Sequence, residues 1–109
     1  MARIIATDDY EARLREIEDF ILTTTDSADV VRQFLTEHMA ALAFLQANPG
    51  TPATHPVTGD RTWPFGNGRY RIFFNLVGED ILLIDIIDNR MANLDIYPGN
   101  SMPTYDEDE

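Results

Sequence analysis

Cysteine and lysine are both absent from this chain of 109 residues, and its two histidines, His38 and His55, stand far apart. Without thiols there is no disulfide and no thiolate metal site, which suits a reducing compartment. His55 falls in a loop with no second ligand type at useful spacing, so it builds no metal centre. No apolar run reaches bilayer-spanning length, and "MARIIATDDY" lacks the apolar stretch of a secretory signal. A glycine-rich phosphate loop after a strand is missing too: Gly66-Asn67-Gly68 reads as a turn. What is left is the expectation of a single soluble cytoplasmic domain with no membrane partner and no metal or small-molecule cofactor. With 44% hydrophobic residues it has the material for a core of ordinary size.

Acid is what the chain has in excess. Nineteen Asp and Glu against eight Arg give a net charge of −11. The imbalance is uneven. Residues 1–60 carry ten acids and four arginines, residues 61–90 four of each, and residues 91–109 five acids and no base. Affinity for nucleic acid rests largely on cations that neutralise phosphates, so most of the chain repels polyanions and residues 61–90 are the exception. An acidic chain suits a basic partner, and it equally suits solubility or a salt-adapted proteome.

Periodicity gives the order of elements. "ARIIAT" is a short strand, and Thr7, Asp8 or Asp9 caps the helix that follows, in which Tyr10, Leu14, Ile17 and Ile21 recur at helical spacing. Thr23–Thr25 weaken that helix, and Asp26 or Ser27 caps a second one over about Ala28–Ala47. Its apolar stripe is Val31, Phe34, Leu35, Met39, Leu42 and Leu45, and Asn48-Pro49-Gly50 ends it. After a turn-rich loop come "RTWPF", with Pro64 marking an edge or a bulge, then "RYRIFFNLV" and "ILLIDIID" separated by Gly78-Glu79-Asp80. The expected class is α+β in the order β-α-α-β-β-β: a helical hairpin on one face of a mostly antiparallel sheet. Alternation along the middle strand puts Tyr70, Ile72, Phe74 and Leu76 on the core face and Arg69, Arg71, Phe73 and Asn75 on the other. That second set mixes cations, an aromatic and an amide, as a binding face does. The segment "YDEDE" reads as a solvated acidic tail.

With its helical pair, its "NPG" stop and the stretch "GRYRIFFNLVGEDILLIDIIDNR", the chain resembles the RelE/ParE superfamily, the toxins of bacterial type II toxin–antitoxin pairs. The resemblance runs from Ala2 to about Tyr97, so residues 1–98 are expected to form the toxin-like domain and 99–109 an acidic C-terminal tail. The family implies a cognate antitoxin as partner, in a homo- or hetero-oligomer, and one of two targets. RelE-like members enter the ribosome and cut mRNA, which requires cations on the scissile phosphate and groups that move protons. ParE-like members inhibit DNA gyrase and cleave nothing themselves. A toxin fold that has lost toxicity and serves as a binding or regulatory partner is a third possibility.

Carried onto this sequence, the RelE-like pattern implies Arg71, Arg90 and Tyr97 as catalytic groups. The wider target-binding set is Arg61, Arg69, Arg71, Phe73 and Arg90. Two departures weaken the nuclease branch. Nuclease members are usually lysine-rich, and the histidine often found two residues before the final arginine is Asp88 here. Arginine stays protonated at neutral pH and makes a poor general base, which leaves Asp85 or Asp88 for that duty. The lean is therefore toward ParE-like action.

Each of these residues also has a structural reading. Arg71 can be an ion-pair partner of Asp85 or Asp88 across the strands, Arg90 a strand-end fixture, and Tyr97 a packing residue. Trp63 and Phe65 fit a base-stacking platform or a cover for the edge of the helices, and His38 fits a partly buried position among Phe34, Leu35, Met39 and Leu42.

Overall fold

The computed structural model describes residues 2–50 and 61–90. Tyr97, His55 and the acidic stretch 99–109 lie outside the described residues. The elements are β1 (Ile4–Ala6), α1 (Asp8–Thr25), α2 (Ala28–Ala47), β2 (Arg61–Phe65), β3 (Tyr70–Val77) and β4 (Asp80–Asp88). This is the β-α-α-β-β-β order that periodicity gives.

Three residues competed to cap α1, and Thr7 does so. Its hydroxyl accepts the Tyr10 amide at 3.1 Å and also donates to the Leu83 carbonyl at 3.0 Å. Neither aspartate next to it makes that second bond, which ties the start of the helix to β4. The hydroxyl of Thr25 bonds back to the Ile21 carbonyl, and α1 stops at Asp26 in the left-handed region (φ 54°), whose amide reaches the Leu22 carbonyl. Ser27 then caps α2 by accepting the Val30 amide.

The inner row of α2 is Phe34, His38, Ala41 and Leu45. Met39 does not belong to it and is 65% exposed. An apolar stripe drawn from hydropathy alone passes over the histidine, although Phe34, His38, Ala41 and Leu45 step by four, three and four residues, the spacing of one helix face. On α1 the buried set is Tyr10, Ile17 and Ile21.

The sheet has the order β1-β4-β3-β2, with β1 parallel to β4 and the other pairs antiparallel. Pro64 sits exposed on the edge strand β2, where its missing N–H breaks no ladder. Phe73 faces Asp85 and Phe74 faces Leu83, so Ile84 is an extra residue on β4 and forms a bulge. Both helices pack on the side of Tyr70, Ile72 and Phe74: Phe34 lies 4.8 Å from the Tyr70 ring, and Phe44 stacks on Trp63 at 4.6 Å. The opposite side does not present Phe73 to solvent as alternation alone suggests. Phe73 is 3% exposed, and Ile87, which shares its face, is 2% exposed.

The β2–β3 turn is the tightest part of the fold. Gly66, Asn67 and Gly68 all have positive φ, at 63°, 58° and 84°, and a Cβ on Gly66 would lie 2.8 Å from a Tyr70 ring carbon. Gly66→Ala is expected to lower stability by about 2 kcal/mol, from left-handed strain plus displacement of the Tyr70 ring. Thr7→Ala is expected to cost about 1 kcal/mol through loss of the cap. Urea unfolding midpoints measure both. A Gly66→Ala midpoint equal to wild type would mean that the turn relaxes without strain.

Candidate functional site

The arginine-rich hairpin is positioned by its turn. The Arg69 amide donates to the Gly66 carbonyl at 3.1 Å, and Asn89, just past β4, clasps the turn by donating to the carbonyls of Gly68 and Arg69, each at 3.0 Å. Arg69 therefore stands exposed at a fixed corner, and Arg71 follows on β3. Arg71 is half-buried, and its Nη1 donates to the Thr62 hydroxyl at 2.9 Å. Among the described residues no ion pair joins Arg71 to Asp85 or Asp88, because each carboxylate meets a different arginine. Arg13 of α1 approaches Asp85 at 3.4 Å, and Arg90 holds Asp88.

The register separates the arginines that the sequence groups. Arg61 pairs with Phe74 and so falls on the helix side of the sheet, whereas Arg71 pairs with Pro64 and Ile87 on the other side. Arg90 also turns toward the helices. Its Nε and Nη2 grip both oxygens of Asp88 at 3.3 and 3.0 Å, and its amide donates to the same carboxylate at 2.9 Å. Nη2 further donates to the Tyr70 hydroxyl at 3.3 Å, and the guanidinium lies 5.5 Å from the centre of the Phe20 ring on α1. Asp88 has no exposed surface. Burial, then the nearby Asp88 charge, push the Tyr70 hydroxyl above its usual range. Of the residues singled out from sequence, Arg71 and Phe73 share the helix-free face, Arg69 stands at the turn and lines a cleft against α2, Arg61 and Arg90 lie on the helix side, and Tyr97 falls outside the described residues.

A trough runs between α2 and the hairpin. Its polar end, a cleft of about 320 Å³, is lined by Val30, Gln33, Glu37, Asn67, Arg69 and Tyr70. Its apolar end is walled by Phe44, Trp63 and Phe65. Trp63 stacks on Phe44, and Phe65 is buried against Tyr70 and Phe34, so these aromatics cover the helix edge and do not form an open platform for a base. No cluster of three metal-ligating side chains occurs among the described residues, and no described helix is long and apolar enough to cross a membrane.

No protein-family model matches the chain, and no curated protein is significantly similar to it in sequence. A solved chain from the chromosomal ParDE TA system of P. aeruginosa matches it with a TM-score of 0.68 at 21% identity. The match covers 81% of this chain and 96% of that one. The fold is of the RelE/ParE type.

Within this RelE/ParE-type fold, the pairing that sequence reading missed is internal. Tyr10 and His38 share a buried hydrogen bond, hydroxyl oxygen to Nε2, of 2.6 Å between α1 and α2. The His38 ring also lies against Phe34 and Phe65. Burial lowers the His38 pKa to about 4 and raises that of the Tyr10 hydroxyl, to which the Asp85 charge adds. The signal was available, since Tyr10 begins the α1 stripe and His38 stands four residues after Phe34. A histidine so placed belongs to the core and does no proton transfer at a surface.

Two expected outcomes follow from this geometry. Between pH 6.5 and about 4 the unfolded chain protonates its histidine while the folded chain does not, so the folded state loses stability as pH falls through that window. The loss reaches about 3 kcal/mol, and His38→Gln should remove that component from the difference between urea midpoints at pH 7 and pH 4.5. Arg90→Ala takes the guanidinium away from a fully buried carboxylate and should destabilise by roughly 2 kcal/mol. Arg90→Ala combined with Asp88→Asn should recover part of that loss. Equal unfolding midpoints for wild type and Arg90→Ala would refute the compensating role.

Proposed function

We propose that this chain is the toxin component of a type II toxin–antitoxin module, a cytoplasmic growth inhibitor neutralised by a cognate antitoxin. Of the two branches we favour the ParE-like one, in which the chain binds and inhibits DNA gyrase and carries out no cleavage. The observation that carries the toxin reading is the fold match over 96% of a chain from a ParDE system. The order of elements and the Gly-Arg-Tyr-Arg strand support it.

The choice of branch rests on chemistry. Cleavage of mRNA by attack of a 2′-hydroxyl needs guanidinium groups that converge on one phosphate, together with a group that takes a proton. Arg90 is committed to Asp88 and Tyr70, on the side of the sheet away from Arg71. His38 is in the core, and Asp85 faces Arg13 of α1. A net charge of −11 with no lysine also opposes binding to an RNA backbone. Recognition of a protein asks less. Arg71 on a stiff strand and the exposed Arg69 at the turn before it suit an acidic or mixed protein surface.

The test is induction of the chain in a bacterium without its antitoxin, with labelling of new protein, RNA and DNA. The expected result is filamentation and DNA damage while translation continues. Prompt loss of translation with cut messages would replace the gyrase branch by the mRNA interferase, with Arg71, Arg90 and Tyr97 as its candidate groups. Normal growth would indicate a binding or regulatory member of the fold. Arg71→Ala is expected to weaken target binding about tenfold, the effect of one interface arginine, and so to raise the inducer level needed for arrest. Full potency in a folded Arg69→Ala, Arg71→Ala variant would remove both arginines from the target surface.

A further inference from the structure

Asn67 is the only asparagine in the chain that a glycine follows. The side-chain amide carbon of an asparagine and the backbone nitrogen of the next residue can close a five-membered ring, and a glycine there has no side chain to obstruct their approach. Both residues are exposed at the β2–β3 turn, with φ 58° and 84°. Among the described residues, neither the Asn67 side chain nor the Gly68 amide makes a hydrogen bond, so neither reacting group is withdrawn into one.

The turn restrains what these atoms can do. The peptide after Gly68 is held at both ends: its N–H, on Arg69, donates to the Gly66 carbonyl at 3.1 Å, and its carbonyl accepts from Asn89 Nδ2 at 3.0 Å. The Asn89 amide also donates to the Arg69 carbonyl at 3.0 Å. A planar ring imposes a linkage between Asn67 and Gly68 that a turn with positive φ at both residues does not hold. The turn therefore opens locally before the ring closes, and Asn89 governs how often it does.

We propose that Asn67 is a site of spontaneous covalent modification, gated by the clasp of Asn89. The Gly68 nitrogen attacks Asn67 Cγ, a C–N bond forms, the Cγ–Nδ2 bond breaks, and the side-chain nitrogen leaves as ammonia with the proton of the Gly68 N–H. Water then opens the ring at either carbonyl, giving aspartate or isoaspartate at position 67. Either product adds a negative charge to a cleft that Glu37 already lines. Isoaspartate also lengthens the main chain by one carbon inside the turn, which breaks the match between the Gly66 carbonyl and the Arg69 amide. The modification stands without the proposed function. Its consequence, loss of the set position of Arg69 as product accumulates, bears on a target only where that reading holds.

The test is peptide mapping of the full chain held folded in mildly alkaline buffer, beside the same chain unfolded in urea. Cleavage after arginine releases Thr62–Arg69, in which Asn67 is the one side-chain amide. The expected result is a mass gain equal to the exchange of NH for O, in two chromatographic peaks for the two products. The folded chain is expected to convert more slowly than in urea, by no more than about a hundredfold, since an exposed turn opens at low cost. Asn89→Ala removes the side-chain donor and should speed conversion of the folded chain about fivefold, the effect of one hydrogen bond, with no change in urea. An unchanged mass in the folded chain after about a hundred half-times of the unfolded reaction overturns the proposal. Equal folded-state rates for wild type and Asn89→Ala, or a folded rate that matches the rate in urea, overturn the gating. The wild-type comparisons hold whatever Asn89→Ala does to stability. Mass is read whether or not the chain arrests growth, so failure of the toxin reading and failure of this chemistry are separately visible.

Discussion

Burying Asp88 at the end of the inner strand β4 requires a cation, and Arg90 supplies it from two residues further on. A carboxylate removed from water without compensation costs several kcal/mol, so the local structure is arranged around this pair. Tyr70, directly across the ladder from Asp88, turns its hydroxyl to the same guanidinium. Asn89 lies between the two charged residues and clasps the glycine turn that starts β3. Phe20 of α1 closes over the guanidinium. One compensated charge thus joins the end of β4, the start of β3, the turn between β2 and β3, and a helix.

The same pair governs what chemistry is open to the hairpin. A guanidinium that grips both oxygens of a buried carboxylate is poorly disposed to leave it for a phosphate, because departure removes a bidentate ion pair from a buried charge. Sequence spacing alone treats Arg71 and Arg90 as equivalent strand-borne cations. Packing makes them different: one is held by a neutral hydroxyl and the other by a full negative charge. The difference is one of free energy as well as position, and it is why the cation count of residues 61–90 overstates the charge that a polyanion would meet.

The element order, both helix spans and the three-stranded meander were legible because hydrophobic period and turn residues act locally. Asn48-Pro49-Gly50 and Gly66-Asn67-Gly68 leave little freedom in where helix and strand end. Facing was harder to read. Alternation along β3 assigned Tyr70, Ile72 and Phe74 correctly to the core, yet it gave no means of knowing that Phe73 is covered as well, since coverage depends on which other parts of the chain lie above it. Met39 was drawn into the stripe by hydropathy and His38 left out of it, because a scale cannot foresee that Tyr10 will satisfy the ring. The bulge at Ile84 was equally hidden. It lies next to Asp85, which meets Arg13 of α1 in a long-range contact with no local mark in the sequence.

Electrostatics and topology lead to the same view of the surface. In a chain with more than twice as many acids as bases, several of the described arginines find a carboxylate. Arg3, Arg13, Arg32 and Arg90 each have a carboxylate within ion-pair reach. Arg71 differs: among the described residues its partner is the neutral Thr62 hydroxyl, which fixes its direction. A guanidinium fixed by a neutral hydroxyl is suited to recognising a complementary surface, since its geometry is set before binding and little side-chain entropy is lost on contact.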